Sequence, residues 1–505
     1  MRILVERNTR RFFFAISMLS LVFFSHCQCQ VEPGQSSCKP AEKTCQGKSV
    51  MRCEGEKWVK AQDCELKCGE GTCLTKGWVL HAGGPGEDNT QGVAVDKEGN
   101  VYFVGYLAGK LTFQNHEVKK PGGYIAKVDK DGKYLWSHVI KSETFSGLWG
   151  VLVGTDGTIY ARGSFSKTIT FGGKQYAAKG KRDAMIISFA KDGKIKDFIQ
   201  FESPETGYIR SLTLGPKGAL FASGVFIKQL NVLGKKLDAL DKTGLFVVKL
   251  EKGKLSWAIN GSAATTEGTY ASVAVAHDGE VYVTGPFENK IKFASQELAS
   301  KGEKDIFLGK WDKDGKFAWL KTFGGKKSDV AMSIALNQKK EVYLSGAFVG
   351  ELPLDGKTLH SNGKSDLFVS KLSPEGKVMW ATSAGGPGGS ESALDLEYAG
   401  KIVVDGSTAF ITGGFQEQFK LGKTLVQTQA KASDIYIAKL NDKGEFVWAI
   451  TPGGKNETWD RGFDVVVDAH YLYIGGKFTG TRTMEAMQLK SNGFLDFFVW
   501  KLLKP

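Results

Sequence analysis

The sequence predicts an all-β fold, namely a seven-bladed β-propeller of four-stranded antiparallel blades. The first observation is a repeat, in which a Gly-x-Phe-like triplet closes a segment rich in valine and tyrosine. The triplets begin at Gly105, Gly163, Gly224, Gly285, Gly346, Gly414 and Gly476, so the successive spacings are 58, 61, 61, 61, 68 and 62 residues. A period of this length indicates one supersecondary unit that is too small to bury its apolar face alone.

The second observation is the pattern within each unit, where apolar and polar residues alternate with the period of a β-strand. In unit 1, residues 93–96 and 101–105 form two such segments, joined by a Gly/Asn turn. Segments 124–128 and 134–139 follow, again across a glycine turn. Four antiparallel strands in about 60 residues predict a propeller blade. The residues in excess of a minimal blade fall between its second and third strands, as at 167–181.

A displaced strand is the third observation. The last unit supplies three strand segments, at residues 465–468, 472–475 and 497–502. Residues 77–84 precede unit 1 and match the fourth strand and exit of a typical unit, such as residues 317–325. The sequence therefore predicts a propeller over residues 77–505 in which an N-terminal strand completes the seventh blade. This pairing closes the ring and removes two open strand edges.

Several residue types recur at one place in each unit, and their repetition favours a scaffold role over catalysis. Phenylalanine ends the triplet and tryptophan lies in the fourth strand, where both are expected to fill space between blades. An aspartate precedes the third strand, where a short carboxylate can bond its own backbone. These positions are Phe165, Phe226, Phe287, Phe348, Phe415 and Phe478; Trp136, Trp257, Trp319, Trp380 and Trp448; and Asp305, Asp366, Asp434 and Asp496. Units 2 and 3 depart from the pattern, since Asp197-Phe198 replaces the tryptophan end and Thr243-Gly244 replaces the aspartate.

Residues 1–26 are predicted to be a signal peptide. Four arginines flank an apolar run of 13 residues at 12–24, which is shorter than the roughly 20 residues needed to span a bilayer. Phe24-Ser25-His26-Cys27 resembles a bacterial lipobox, although His26 stands where a small residue is expected. We therefore expect Cys27 to carry lipid and residues 27–37 to form a tether. The alternative is ordinary cleavage with release of a soluble protein.

All eight cysteines lie before unit 1, and six of them fall within residues 38–73. A segment this short cannot build a sufficient apolar core. We therefore predict that three disulfide bonds stabilise it as a small module. The six are Cys38, Cys45, Cys53, Cys64, Cys68 and Cys73, and the sequence does not choose among their pairings. Zinc is the alternative, because the last three are closely spaced, but residues 27–80 contain no histidine.

The formal charge of +13 includes +3 from the signal segment, that is, four arginines less Glu6, which leaves +10 for the mature chain. Much of the lysine lies in turns that also carry aspartate, such as residues 130–133, 191–194 and 313–316. Such turns are typical of a solvated surface rather than of a nucleic-acid track, so no nucleic-acid partner is predicted. A weak attraction to anionic cell-surface material is compatible with this charge.

The repeated units resemble those of the bacterial seven-bladed β-propeller repeat proteins. The resemblance covers residues 78–505 and is best at 281–287 and 366–372, which read Val-Tyr-Val-Thr-Gly-Pro-Phe and Asp-Leu-Phe-Val-Ser-Lys-Leu. The cysteine-rich segment is similar to modules fused to exported bacterial lipoproteins. This resemblance implies the propeller fold and a location at the bacterial outer membrane or cell surface. It carries no catalytic signature.

The sequence contains no motif that specifies a reaction. Its seven histidines are scattered over different units without a metal-binding pair, and no Gly-x-Ser-x-Gly motif is present. Residues 129–132 and 312–315 resemble the start of a calcium loop but lack the third ligand and the distal glutamate, which favours a hairpin turn. We therefore predict no metal and no cofactor. A quinone-dependent dehydrogenase would need a cofactor cradle that we do not identify.

The connection from each fourth strand to the next unit varies, although the strands repeat. Variable loops on a rigid scaffold commonly carry function, and in a propeller these connections emerge around one mouth of the channel. Several carry an aromatic residue beside a carboxylate, and unit 6 gains an insertion at residues 390–398. The predicted ligand-binding residues are Trp149, Tyr208, Tyr270, Glu391, Tyr398 and Trp459. The alternative is that these aromatics only cap the ends of the blades.

The leading hypothesis is a non-enzymatic, monomeric propeller that is exported to the cell envelope. It would bind a polysaccharide or a protein at the channel mouth, since a concave ring of aromatics and carboxylates suits a sugar or a peptide. The lipid anchor would attach the protein to the membrane. The alternative hypothesis is a polysaccharide lyase or hydrolase whose site lies on the same face.

Overall fold

The computed structural model describes residues 42–504 except for residue 47 and segments 55–56, 70–71, 264–269, 389–399, 429–432, 453–459 and 485–486. The chain divides into two compact parts, Met1–Thr75 and Lys76–Pro505. The predicted signal peptide and tether, with Cys27 and Cys38, lie outside the described residues. Within the described part of the chain, no helix is long and apolar enough to cross a membrane.

The N-terminal part is held together by disulfide bonds. Strands Lys43–Gln46, Ser49–Glu54 and Lys57–Asp63 form one antiparallel sheet, and Lys67–Gly69 pairs with Thr72–Leu74. Disulfide bonds join Cys45 to Cys68 and Cys64 to Cys73, and Cys53 is also disulfide-bonded. The predicted staples are therefore confirmed for these five cysteines. Zinc is wrong for them, because a disulfide sulfur is no longer the thiolate that zinc binds.

The C-terminal part is an all-β structure whose strands group into antiparallel units of four that follow the sequence repeats, and in the last unit the fourth strand comes from residues 78–82. The strands are, in unit 1, Asn89–Val95, Val101–Leu107, Gly122–Val128 and Tyr134–Ser142; in unit 2, Phe145–Val153, Ile159–Ser166, Asp183–Phe189 and Ile195–Glu202; and in unit 3, Gly207–Leu214, Leu220–Val232, Lys235–Glu251 and Lys254–Ala263. In unit 4 they are Ser272–Val275, Val281–Phe287, Asp305–Trp311 and Phe317–Phe323, and in unit 5 Asp329–Leu336, Val342–Leu354, Lys357–Leu372 and Val378–Ala384. Unit 6 has Ile402–Asp405, Thr408–Gln416, Ser433–Leu440 and Phe446–Ile450, and unit 7 has Arg461–Val467, Tyr471–Phe478, Asp496–Leu503 and Trp78–Ala82.

Aspartate and glycine build the turn between the third and fourth strands. In unit 1 the carboxylate of Asp129 accepts hydrogen bonds from the backbone nitrogens of Asp131 at 3.0 Å and Lys133 at 2.9 Å. Gly132 adopts a positive φ of 83°, which a residue with a Cβ rarely adopts. The carboxylate is thus used by its own backbone, which confirms the hairpin-turn interpretation over a calcium loop at this position.

The segment between the second and third strands forms a β-hairpin, which the sequence analysis described only as excess length. The separate hairpins are Leu111–Phe113 with His116–Val118, Thr168–Phe171 with Lys174–Ala177, Lys290–Phe293 with Gln296–Ala299, Gln418–Leu421 with Thr424–Gln427, and Thr481–Met484 with Met487–Lys490. In units 3 and 5 the hairpin is continuous with the long second and third strands. The hairpin of unit 2 also pairs with the fourth strand of unit 1, where Lys141 lies opposite Thr170. It therefore extends the contact between units.

The apolar cores lie between consecutive units. One cluster combines Tyr102 and Ile125 of unit 1 with Phe165 and Phe189 of unit 2, and the same arrangement recurs between later units. All six triplet phenylalanines are at most 1% exposed, which confirms their predicted packing role. Burying an aromatic ring of this size contributes about 3 kcal/mol relative to leaving it exposed, so the stability of the molecule resides in these junctions.

A second junction contact joins the fourth-strand tryptophan of one unit to the turn of the next. The Trp136 indole Nε1 donates to the Lys191 carbonyl at 3.1 Å, and Trp380 donates to the Asp442 carbonyl at 2.8 Å. Trp78 and Trp257 make the equivalent bonds. Each ring also lies against the turn glycine, and a Cβ on Gly444 would meet Trp380 at 2.5 Å. The glycine is therefore required both for its φ and for the close approach of the ring.

Two junctions lack this contact for identifiable reasons. The fourth strand of unit 7 is Trp78–Ala82, so this unit has no turn from its third to its fourth strand. The tryptophan of unit 6 that would bond to such a turn is Trp448, and its buried Nε1 has no hydrogen-bond partner among the described residues. In unit 2, Asp197 stands where other units have tryptophan. A Cβ on Gly253 of unit 3 would therefore meet only Asp197 Oδ2, at 3.3 Å. A cavity of about 1380 Å³ lies there, lined in part by Tyr160, Asp197 and Gly253.

The first strands of the units contact one another in sequence order, and the first strand of unit 7 contacts that of unit 1. The N-terminal strand Trp78–Ala82 pairs with the third strand of unit 7, where Val79 lies opposite Trp500. Val79 is 4% exposed and packs in one apolar cluster with Ile435 and Ile437 of unit 6. Residues from the two ends of this part of the chain thus share one sheet.

The contact of the tryptophan with the turn glycine can be separated from the φ requirement by two matched substitutions. Gly444 (φ 80°) lies under Trp380, whereas a Cβ on Gly356 (φ 85°) would meet nothing within 4 Å. We expect Gly356→Ala to cost about 1 kcal/mol of unfolding free energy and Gly444→Ala about 3 kcal/mol, because only the second displaces a ring. Denaturant unfolding measures both. Equal losses would show that the ring contact contributes nothing.

The N-terminal strand can be tested with one buried and one exposed valine. Val79→Asp places a carboxylate in the apolar cluster and should lower the free energy of unfolding by about 3 kcal/mol or more. Val447→Asp, on a 53% exposed residue of the unit 6 fourth strand, should change it by no more than about 0.5 kcal/mol. Thermal unfolding of the two variants provides the comparison, and similar melting temperatures would contradict the pairing of residues 78–82.

Candidate ligand-binding site

The first strand begins, the second ends and the third begins at the same end of each antiparallel unit. We call it the variable end, because the connections from one unit to the next meet the strands there. Their described residues are 83–88, 143–144, 203–206, 270–271, 324–328, 385–388, 400–401, 451–452 and 460. The glycine turns that receive the tryptophans lie at the opposite end. Residues at the variable end of neighbouring units are therefore brought together, however far apart they stand in the sequence.

Trp149 lies at a β-bulge in the first strand of unit 2, where the register shifts between Leu148 and Gly150. A bulge re-aims the side chain of the extra residue. The Trp149 indole Nε1 donates to Ser164 Oγ at 3.2 Å, and its ring stacks on Phe145 with centroids 6.0 Å apart and an interplanar angle of 18°. Phe145 in turn stacks on Tyr106 of unit 1, at 5.8 Å and 22°. Three half-buried rings thus form a continuous row.

Two arginines extend this row toward unit 3. The Arg182 guanidinium lies 4.4 Å from the centre of the Phe145 ring and 5.6 Å from that of Tyr208, and its Nη1 donates to the Tyr208 hydroxyl at 3.3 Å. Arg210, which also lies at a bulge, is 4.5 Å from the centre of the Tyr208 ring. We call Tyr106, Phe145, Trp149, Arg182, Tyr208 and Arg210 the aromatic–arginine cluster. All six residues are half-buried.

Arg162 lies beneath the cluster, on the second strand of unit 2. Its Nη1 donates to the Ile209 carbonyl of unit 3 at 2.9 Å. A Cβ on Gly150 would lie 2.7 Å from Arg162 Nε, so the glycine after the bulge makes room for the guanidinium. Burial, with the neighbouring charge of Arg210 added, lowers the pKa of Arg162 to about 10, although Asp464 of unit 7 opposes the shift. The site is therefore strongly cationic for a partly buried region.

The structure brings together some of the residues that the sequence predicts. Trp149 and Tyr208 are linked through Phe145 and Arg182. Tyr270 packs against the apolar core between units 5 and 6. Its link to the aromatic–arginine cluster is an electrostatic interaction with Arg162 and Arg210. The predicted residues Glu391, Tyr398 and Trp459, with the insertion at 390–398, lie outside the described residues.

The sequence analysis did not identify the arginines, although a signal was present. Only five arginines follow residue 77, namely Arg162, Arg182, Arg210, Arg461 and Arg482, among a large excess of lysine. Three of these five meet at the junction of units 2 and 3. Arginine is preferred over lysine where a planar group must stack on a ring or grip an anion with two nitrogens, so its concentration at one place indicates a specific use.

Buried aspartates also gather at the variable end, and their contacts are structural. The carboxylates of Asp305, Asp366 and Asp496 accept hydrogen bonds from the backbone nitrogen four residues earlier, at 3.0, 2.8 and 3.0 Å, which confirms the predicted local bonding. Burial, with the neighbouring charge of Asp305 added, raises the pKa of Asp329 to about 8. Burial likewise raises the pKa of Asp460 to about 7, against the opposing charge of Arg482.

None of these carboxyls belongs to a metal centre in the part of the chain that the structure describes, where no group of three or more His, Cys, Asp or Glu side chains is arranged to hold an ion. The aspartates instead join consecutive units. Asp329 of unit 5 donates its backbone nitrogen to the Lys304 carbonyl of unit 4 at 2.8 Å, and Asp88 of unit 1 does the same with Leu495 of unit 7.

Comparison with known proteins finds one matching repeat model and several solved structures of low similarity. Residues 77–106 match the model of the beta-propeller repeat. The solved structures that resemble the chain include Sqt1 from Chaetomium thermophilum (10% identity, 84% of this chain and 98% of that one, TM-score 0.40) and a protein from Lactobacillus plantarum (12%, 83% and 95%, 0.38). A polysaccharide lyase of family PL25, an ulvan lyase, is also similar (9%, 78% and 93%, 0.43). No curated protein matches the chain. The repeat model and the four-stranded units together define a β-propeller scaffold.

The raised pKa of Asp329 predicts an unusual dependence of stability on pH. An unfolded aspartate has a pKa of about 3.9, so the folded state holds this proton more tightly. The stabilisation is complete below that value and is lost as the pH rises through the folded pKa of about 8. We therefore expect the melting temperature to fall between pH 5 and pH 8.5, and to fall less in Asp329→Asn. Asp314→Asn, at a 70% exposed turn carboxylate, is the control. If all three proteins show the same slope, the proton does not reside on Asp329.

Proposed function

We propose that the chain is an exported, non-enzymatic, seven-bladed β-propeller that binds a polysaccharide at the mouth of its channel, through the aromatic–arginine cluster. The observation that carries this proposal is the row of half-buried rings formed by Tyr106, Phe145 and Trp149 at the variable end. Aromatic rings on a concave surface, with a few fixed polar groups beside them, are typical of sites that bind sugars or peptides.

The seven-bladed ring is part of the proposal. It is supported by the contacts of the first strands, which run from unit 1 to unit 7 and return to unit 1. It is also supported by the pairing of Trp78–Ala82 with the third strand of unit 7, since an N-terminal strand in the last blade joins both ends of the chain. In such a ring the first strands would surround the channel, and the cluster would lie at one mouth.

The location is also proposed. Disulfide bonds in the N-terminal part indicate an extracellular or otherwise oxidising environment. We propose that residues 1–26 direct export, that Cys27 carries the lipid, and that residues 27–37 tether the protein to the outer membrane or cell surface. The propeller would then present its site to envelope polymers as a monomer.

The side chains of the cluster hold one another in position, which favours binding. Ser164 fixes the Trp149 ring, and Arg182 is held by two rings and by the Tyr208 hydroxyl. Side chains that are positioned in advance lose little conformational entropy when a ligand arrives. The catalytic alternative, a polysaccharide lyase or hydrolase on this face, would need an acid or base beside the ligand. His138, for example, is instead used between units 1 and 2, where its Nε2 is 2.7 Å from the Gly193 carbonyl.

Trp149→Ala tests the site, with Trp380→Ala as a matched control at the opposite end. We expect Trp149→Ala to weaken binding to a polysaccharide from an array by about 2 kcal/mol, as truncation of a central aromatic residue does, with a small change in melting temperature. Trp380→Ala should lower the melting temperature and leave affinity unchanged, because Trp380 lies at the opposite end, where it bonds to the next turn and packs against Tyr343. Calorimetric titration and thermal unfolding give the two readouts.

The opposite pattern, in which Trp149→Ala melts early and binds normally, would assign Trp149 to the scaffold and contradict the proposal. Size-exclusion chromatography would show whether the polymer becomes shorter during the titration. Shortening would contradict the non-enzymatic proposal and support the lyase or hydrolase alternative. Binding to proteins on the same array, without any glycan, would replace the polysaccharide with a protein partner.

A further inference from the structure

The arginines of the site carry charge that the described part of the chain does not neutralise. Arg162 and Arg182 come from unit 2 and Arg210 from unit 3, and Arg210 interacts unfavourably with both of the others. Among the ion pairs between described residues, none includes these three. The chain does pair a buried arginine elsewhere, since Arg482 is bonded to Asp460. Within the described residues, Arg162, Arg182 and Arg210 therefore lack the carboxylate partner that Arg482 has.

Among the described residues, the carboxyl that opposes the charge of Arg162 is Asp464, and it is already in use. Asp464 accepts the Val93 backbone nitrogen at 3.0 Å and its own-strand Val465 nitrogen at 3.1 Å. It also shares its charge between Lys401 and Arg162. One carboxyl that serves two cations and two backbone donors cannot balance three guanidinium groups, so the junction of units 2 and 3 retains a positive charge in a partly buried place, where unpaired charge is costly.

A donor is left without a partner at the same place. Arg210 Nε is buried and makes no hydrogen bond to a described residue, while the face of its guanidinium rests on Tyr208. Arg182 uses one nitrogen for the Tyr208 hydroxyl and rests on Phe145. The neighbouring rings therefore restrict the positions of both guanidinium groups. A fixed fork of N–H groups matches the paired oxygens of a carboxylate or a sulfate.

We propose that the ligand of this site is an acidic polysaccharide, whose sugar rings stack on the aromatic row while its carboxylate or sulfate groups bind Arg182 and Arg210. This proposal rests on the proposed polysaccharide-binding function and specifies its substrate class. Arg162, which lies below and is bonded to the Ile209 carbonyl, reinforces the charge and holds units 2 and 3 in register. The anion would supply the compensation that the described residues lack.

A nucleic acid is a less suitable occupant. Its backbone presents a phosphate at every nucleotide, so proteins that bind it spread cations along a track. Here the three arginines occupy one small patch. The lysine-rich turns lie at the opposite end, where their lysines form ion pairs with neighbouring aspartates. Lys130 pairs with Asp131 at 2.7 Å and Lys313 with Asp314 at 2.6 Å.

Two matched pairs of polymers test the charge separately from the sugar. Polygalacturonate and its methyl ester share a backbone and differ in carboxylates, and dextran sulfate and dextran differ in sulfates. We expect the full-length protein to bind at least one charged member tenfold or more tightly than its neutral counterpart in calorimetric titration. Binding to the charged member should also weaken steeply between 50 and 300 mM NaCl, because an ionic contact is screened by salt.

Variants assign the effect to the arginines. The double variant Arg182→Gln/Arg210→Gln should lose the preference for the charged polymer and retain weak binding to both members through the aromatic row. Arg210→Lys keeps the charge without the fork and should lose part of the preference. Lys130→Gln/Lys313→Gln removes the same charge from the opposite end and should bind like the parent. Melting temperatures show that each variant is folded.

The outcomes distinguish the two proposals. Equal binding of charged and neutral members would overturn the acidic ligand and leave polysaccharide binding intact, whereas failure to bind any of the four polymers would reject both. Parallel loss of charged and neutral binding in the arginine variants, with a lower melting temperature, would make Arg182 and Arg210 structural. An oligothymidylate that binds more tightly than either charged polysaccharide would assign the site to nucleic acid.

Discussion

The structure depends on contact between consecutive units, because no unit can bury its sheet faces alone. The clearest form of this contact is the indole that spans a junction. The fourth-strand tryptophan donates a hydrogen bond to the turn of the next unit and covers its glycine, as Trp136 does with Gly193. The triplet phenylalanines and the aspartates at the variable end also join consecutive units, at other positions along the strands. Position within the unit therefore decides what each repeated residue does.

The two ends of the units are constrained differently. At the turn end, glycine, aspartate and tryptophan are tied together, so the sequence there varies little. At the variable end, the chain has only to pass from one unit to the next, and residues such as Trp149 and Arg210 lie at bulges in the first strands. A rigid scaffold with one unconstrained end is the arrangement in which binding residues can diverge without loss of the fold.

Most of the fold could be predicted from the sequence, because the same pattern of strand and turn residues occurs in each of the seven sequence repeats. The strands, the turns, the triplet phenylalanines and the local bonds of Asp305 and Asp496 follow from that repetition. The hairpins between second and third strands were missed, since their sequences differ from unit to unit. The site was predicted only in part. Trp149 and Tyr208 belong to loops that the pattern indicates, whereas Arg182 and Arg210 occur once each, and only the convergence of units 2 and 3 in space makes them neighbours.

The replacement of tryptophan by Asp197 has a consequence for the junction of units 2 and 3. This junction lacks its indole at the turn end and opens into a cavity there, so the two units contact each other less at that end. The aromatic–arginine cluster bridges the same two units at the other end, through Arg182 and Tyr208. A ligand held by the cluster would therefore bridge a junction that lacks its indole, and ligand binding would raise the free energy needed to separate units 2 and 3.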